Sequence, residues 1–148
     1  MAELVDLTAA PGRFFDILPD DWHVEIEPFW PEYLETSWIY GLDEGGKIIA
    51  GGIVFSGVSP DTKGYYETAQ QWLDKGYLYM GFIYVDEDRR GEGLGSLWVN
   101  KVKEHNPKQK YWLAIDEYGL SKFYQKLGFR IVEEVRNGAD PEWVLVEE

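Results

Sequence analysis

Residues 77–96 read Tyr77-Leu78-Tyr79-Met80-Gly81-Phe82-Ile83-Tyr84-Val85-Asp86-Glu87-Asp88-Arg89-Arg90-Gly91-Glu92-Gly93-Leu94-Gly95-Ser96. The run from Tyr77 to Val85 is rich in aromatic and β-branched residues, the composition of a strand. After the glycines, Leu94, Leu97, Trp98 and Val102 fall at helical spacing until Asn106-Pro107 stops the run. Strand, glycine-rich turn and helix in that order put main-chain amides, free of side-chain bulk, at a helix N-terminus. That arrangement is a cradle for a phosphate or pyrophosphate.

Spacing narrows the choice of phosphate binder. A dinucleotide fingerprint, Gly-x-Gly-x-x-Gly, needs its last glycine where Ser96 stands if counted from Gly91, and where Trp98 stands if counted from Gly93. A P-loop counted from Gly91 needs Gly-Lys where the chain has Ser96-Leu97. What remains is Arg90-x-x-Gly93-x-Gly95, followed downstream by Phe123-Tyr124-Gln125-Lys126-Leu127-Gly128-Phe129. In both segments the chain resembles the GNAT family of N-acetyltransferases. The first is similar to that family's coenzyme A pyrophosphate loop and the second to the Phe-Tyr-x-x-x-Gly-Phe segment that closes the same site. The resemblance covers residues 77–135.

Several expectations follow from the resemblance. The fold would be α/β (α+β), a mixed, mostly antiparallel twisted sheet of about seven strands flanked by helices, with a splayed pair of parallel central strands. Acetyl-CoA would lie in the V between that pair as co-substrate, with no metal, and an amine would attack the thioester directly. Backbone groups of Ile83 and Val85 would pair with the pantetheine arm, and the amides of Arg90, Gly91, Glu92, Gly93, Gly95 and Ser96 would bind the pyrophosphate. The Glu92 carboxylate would then have to point away from the phosphates. Tyr124 matches the tyrosine that protonates the departing thiolate; without that context it reads as an aromatic packing beside Phe123 and Phe129. Glu117 stands where the motif often has asparagine and Leu120 where it often has alanine, departures that bear on the contacts to the middle of the coenzyme. Family members are often dimers, so a homodimer is compatible with the resemblance.

The general base is not fixed by the motif. Histone-modifying relatives carry a glutamate on the strand before the glycine loop, where this chain has Tyr79, and a phenol with an ordinary pKa near 10 is a poor base at neutral pH. A water relay, or a carboxylate such as Glu25, Glu27 or Glu67, would then take the proton. His23 beside Trp22 reads more simply as structural or surface, and His105 as a helix C-terminal residue facing the dipole or solvent.

Composition sets bounds on this reading. The 148 residues suit a single domain, 1–148, with a proper core, and no linker or repeat divides them. The absence of cysteine and of a Gly-x-Ser-x-Gly elbow leaves no obvious nucleophile for a covalent acyl-enzyme. The first residues lack a basic stretch followed by an apolar core, and the apolar runs are strand-sized, so a soluble, cytoplasmic protein without a membrane partner is expected. Residues 1–88 carry 4 Lys/Arg against 17 Asp/Glu, whereas residues 89–148 carry 10 of each. Such a balance argues against nucleic acid as partner. The acidic part either serves solubility or attracts a cationic amine acceptor; with Trp22, Trp30, Trp38, Tyr65, Tyr66 and Trp72 it would form an aromatic wall for that amine.

Elsewhere the pattern gives a strand at 4–7, a short helix with Phe14, Ile17 and Leu18 on one face, and a short helix after Pro28 lined by Phe29, Tyr33 and Leu34. A hairpin, 37–42 and 47–55, turns at Asp43-Glu44-Gly45-Gly46, with Gly51-Gly52 marking a bulge or a close backbone approach. Tyr66, Ala69, Gln70 and Leu73 suggest a helix inserted between 56 and 76. A strand at 110–116, a helix with Leu120, Phe123, Tyr124 and Leu127 ended by Gly128, and a hairpin around Asn137-Gly138 complete the chain. Two functions stay open: an N-acetyltransferase acting on a small cationic amine or a peptide amine, and a non-catalytic acyl-CoA-binding regulatory module, which Tyr79 and Glu117 keep alive.

Overall fold

Seven strands form one sheet in the computed structural model, which describes residues 2–147. They are β1 (Glu3–Asp6), β2 (Ser37–Glu44), β3 (Lys47–Phe55), β4 (Tyr77–Val85), β5 (Lys110–Ile115), β6 (Phe129–Asn137) and β7 (Asp140–Glu147), in the order β1-β2-β3-β4-β5-β7-β6. Every neighbouring pair is antiparallel except β4 and β5. The helices are α1 (Gly12–Phe15), α2 (Asp20–Ile26), α3 (Trp30–Tyr33), α4 (Tyr66–Asp74), α5 (Leu94–His105) and α6 (Ser121–Gln125). This is the expected mixed, mostly antiparallel architecture. No described helix is long and apolar enough to cross a membrane.

The parallel pair decides what the fold can hold. β4 and β5 are in register only over Tyr77–Tyr79 and Lys110–Trp112. Beyond that point β5 keeps its bonds to β7, from Trp112↔Val146 to Ile115↔Trp143, while β4 stays with β3. The two strands therefore part and leave a gap in the sheet. A bulge in β4 sharpens the parting, because the β3–β4 register jumps from Ile53↔Gly81 to Gly51↔Tyr84, so that Phe82 and Ile83 together face Gly52. Phe82 takes φ 53°, a left-handed conformation that costs about 1–3 kcal/mol in a residue with a β-carbon. Bulges of this kind bend a strand and redirect its side chains.

The core lies where α1 and α5 cross the sheet. Gly51 and Gly52 make that crossing tight: a β-carbon on Gly51 would stand 2.6 Å from the Phe14 ring, and one on Gly52 would stand 2.7 Å from Trp98. Trp98 is fully buried and donates its indole N–H to the Tyr40 carbonyl at 2.9 Å. Gly52→Ala is accordingly expected to destabilise the protein by about 1–3 kcal/mol, the usual cost of overpacking, measurable as a lowered midpoint in chemical denaturation. Here the two glycines prove to mark both a bulge in the pairing partner and a close approach.

Local readings fail mainly over 20–36. Phe29 and Leu34 are exposed, while Ile26, Trp30 and Tyr33 face the core, because a 3₁₀ turn over Glu27–Phe29 rotates the faces between α2 and α3. Helix α1 ends at Phe15, and Phe15 rather than Ile17 joins Phe14 and Leu18 inside. In the segment between β3 and β4 the expected helix is present as α4, preceded by a 3₁₀ run over Pro60–Tyr65; Ala69 is the buried residue of α4, Thr62 and Tyr65 those of the 3₁₀ run, and Tyr66 is exposed. The segment docks on the C-terminal hairpin: Tyr65 donates to Glu142, and the Asn137 side chain donates to the Asp61 carbonyl at 3.2 Å.

Candidate active site

The gap between β4 and β5 widens into a cleft of about 1380 Å³. Its two ends differ in chemistry.

At one end is the glycine loop. Gly91 and Gly93 have φ of 85° and 76°, and Gly93 caps α5 in the left-handed conformation that any side chain would strain. The first bond of α5 runs from the Leu97 amide to the Gly93 carbonyl, so the amides of the preceding turn, Leu94, Gly95 and Ser96 among them, have no acceptor within the helix. Gly91, Gly93, Leu94 and Gly95 line the cleft, as does Arg90, whose guanidinium lies 5.1 Å from the Tyr84 ring centre and donates to the Val85 carbonyl at 3.3 Å. Glu92 and Ser96 are not among the lining residues. The Glu92 carboxylate turns outward, accepting from Arg89 at 2.8 and 2.9 Å, and Arg89 also reaches Glu44 at 2.7 Å. These bonds hold both carboxyls below their ordinary range.

Ile83 and Val85 stand on the cleft side of β4. The Asp86 amide bonds to the Ile49 carbonyl of β3 at 2.9 Å, and alternation along an antiparallel pair then points the main-chain groups of Val85 the other way, into the gap that β5 has left, while Ile83 stands in the bulge that interrupts this alternation.

Tyr124 faces the cleft from α6. Its ring meets Phe123 edge to face at 4.9 Å and Phe129 at 6.2 Å, so packing and exposure to the cleft coexist. Its hydroxyl has no hydrogen-bond partner among the described residues. Burial pushes its pKa up to about 12, which keeps it a proton donor at neutral pH. The face predicted for this helix is more open than a core face: Leu120 and Phe123 are exposed, and together with Glu117 they line the cleft.

The other end of the cleft is acidic. Glu25 from α2, Asp61 from the inserted segment and Glu142 from β7 all line it. Asp61 accepts from the Tyr79 hydroxyl at 2.6 Å and from the Ser59 hydroxyl at 2.5 Å; Glu142 accepts from Tyr65 and from the Asn137 amide, each at 2.8 Å. Burial, and after it the other carboxylates, raises Glu25 above the usual carboxylate range. Burial raises Asp61 and Glu142 likewise, against the donors that stabilise their anions. None of the three forms an ion pair with a described cation. Trp22 and Phe29 stand beside them.

Of the carboxylates singled out in the sequence, Glu25 reaches the cleft; Glu27 is exposed and bonded to His23 at 2.6 Å, and Glu67 is exposed on α4. His23 thus has a partner outside the cleft, and His105 packs against Tyr40 at 5.4 Å. Asp61 and Glu142 escaped sequence reasoning, since only tertiary packing brings residues so far apart to one place. Tyr79 lies between the rings of Phe55 and Trp112, and burial drives its pKa far upward, so it serves as a donor to Asp61 and not as a base. No group of three or more described His, Asp or Glu side chains is disposed to hold a metal ion.

A helix start with amides free of intrahelical acceptors and a carboxylate-lined pocket thus stand at the two ends of one cleft. The chain belongs to the acetyltransferase (GNAT) family, whose model matches residues 4–129. An uncharacterised N-acetyltransferase of Methanocaldococcus jannaschii is 36% identical over 59 residues, a stretch spanning 36% of this chain and only 26% of that protein. Among solved structures, the ribosomal-protein-S18-alanine N-acetyltransferase from Escherichia coli superposes with a TM-score of 0.68 at 18% identity, over 99% of this chain and 93% of that one. A GNAT family acetyltransferase from Elizabethkingia anophelis with acetyl-CoA bound gives 0.67 at 17% identity, over 99% and 97%. At such identities the likeness is one of fold.

Proposed function

We propose that the chain transfers an acetyl group from acetyl-CoA to a primary amine that arrives as a cation, either a small amine or a peptide amine. The observation that carries this is one cleft that has, among the described residues, helix-start amides without an acceptor at one end, carboxylates without an ion-pair partner at the other and a Tyr124 hydroxyl without a hydrogen-bond partner on its wall. The main-chain amides of residues 90–96 hold the pyrophosphate, and main-chain groups of Ile83 and Val85 replace the missing β5 partner with the amide groups of the pantetheine arm. The acceptor loses a proton, its nitrogen lone pair attacks the thioester carbon, and the tetrahedral adduct expels the thiolate. Tyr124 gives the sulfur its proton and is restored by the second proton leaving the nitrogen. Net products are the amide, the free thiol and one proton released to water.

Coenzyme A release measured over a panel of primary amines tests the reading. Saturable turnover on at least one cationic amine is expected. Binding of acetyl-CoA with no turnover on any acceptor would instead favour the non-catalytic module.

A smaller effect concerns Arg89. With Arg89→Ala the Glu92 carboxylate loses its outward partner beside the phosphate cradle, and coenzyme A is expected to bind several-fold more weakly, most visibly at low ionic strength where repulsion is least screened. Calorimetry at two salt concentrations checks this.

A further inference from the structure

We infer that Asp61 takes the proton from the acceptor ammonium, and that Tyr79 and Ser59 hold its carboxylate at the acceptor end of the cleft for that purpose. The inference rests on the acetyltransferase reading above and adds to it a specific residue, drawn from the segment inserted between β3 and β4.

The geometry behind it is specific. A carboxylate offers about four acceptor positions over its two oxygens. Ser59 occupies one on Oδ1 and Tyr79 one on Oδ2, which fixes the plane of the group and leaves the remainder for an incoming N–H. The Tyr79 ring is itself confined: it lies tilted at 43° against Trp112 with ring centres 4.5 Å apart, and a β-carbon on Gly81 would stand 2.6 Å from it. Tyr79 is also the last β4 residue in register with β5, so its hydroxyl holds Asp61 at the point where the parallel strands begin to part. The 3₁₀ run carrying Asp61 is anchored independently through the Asn137 bond to its carbonyl. Such redundancy is what holds an acid–base group within reach of its proton.

Charge around the group suits the task. Asp61 shares its end of the cleft with Asp21 and Glu25 from α2, Lys63 from its own segment, Tyr79 from β4 and Asn137 and Glu142 from the final hairpin, and its charge acts on Glu25, Tyr65, Tyr79 and Glu142. Lys63, the nearby cation, lies over the Phe29 ring at 6.0 Å. Burial makes the carboxylate more basic than a free one, against the Ser59 and Tyr79 donors that stabilise its anion, while an ammonium entering the pocket meets two further negative groups that favour its binding. The proton moves from the ammonium nitrogen to a carboxylate oxygen and then to water as the free amine attacks.

Asp61→Asn provides the direct test, with coenzyme A binding and the pH profile of kcat/KM measured alongside turnover. At neutral pH a loss of about 10²–10⁴-fold in kcat is expected with coenzyme A affinity retained. The loss should shrink as pH rises toward the pKa of the amine, or when an acceptor of lower amine pKa is supplied, because the free amine then needs no base. A residual rate near that of the unaltered protein, or an equal loss at every pH and with every amine, would overturn the inference. Tyr79→Phe gives a second reading if the Asn variant folds poorly. Removing a donor to the anion should move the acidic limb of the profile to higher pH, and an unmoved limb would again overturn it. Failure of the unaltered protein to turn over any amine would strike the acetyltransferase reading itself, which separates the two.

Discussion

Tyr124→Phe is expected to lower kcat by about 10²–10⁴-fold while coenzyme A binds as before. The Tyr124 ring is wedged between Phe123 and Phe129, which phenylalanine would preserve, and its hydroxyl is spent on no described partner, so the substitution removes a proton donor and little else. With the phenol pushed up to about 12, the residue stays protonated as pH rises through neutrality, and no basic limb from Tyr124 should appear in that range. The acidic side behaves oppositely: under the proposed function Glu25, Asp61 and Glu142 would have to be ionised to receive a cation, and all three lie above their ordinary range. Activity should therefore fall, as pH drops, at a higher pH than a free carboxylate would give. A Tyr124→Phe enzyme that kept most of its rate would transfer the role of acid elsewhere, most simply to water.

Gly93→Val is expected to have the larger effect on binding. At φ 76° a valine adds about 1–3 kcal/mol of backbone strain, and α5 relieves it only by re-forming its first turn. Its side chain would also stand in the cradle. If two hydrogen bonds to a charged phosphate are lost, coenzyme A should bind on the order of 100-fold more weakly. Titration calorimetry would show this, and a denaturation curve would show that the fold survives, since no described residue beyond its neighbours in the chain comes within 4 Å of where a Gly93 β-carbon would sit.

The parts of the molecule that could be read from residues alone are those whose signals are local. The strand Tyr77–Val85 has the bounds its composition gives, α5 starts at the glycine loop, and Gly128 has the left-handed φ of a helix-ending residue. Over 20–36, by contrast, two prolines and a 3₁₀ turn break the periodicity on which a face assignment depends, so Phe29 and Leu34 do not share a face with the buried Tyr33 but are exposed. The acidic pocket is harder still. Tyr65 and Glu142 are 77 positions apart and Asp61 and Tyr79 are 18 apart, and neither pair leaves a local pattern. What the sequence did carry was the surplus of acid in its first part, and Asp21, Glu25 and Asp61 are where that surplus enters the cleft.

The central claim is that main-chain amides between Arg90 and Ser96 grasp a diphosphate. The most direct measurement is amide chemical shift on titration with coenzyme A and, separately, with pantetheine, which has the arm but no pyrophosphate. Coenzyme A should move the amides of residues 90–96 together with those of Ile83 and Val85, and pantetheine only the latter. Saturation with coenzyme A that left the amides of 90–96 where they began would contradict the account.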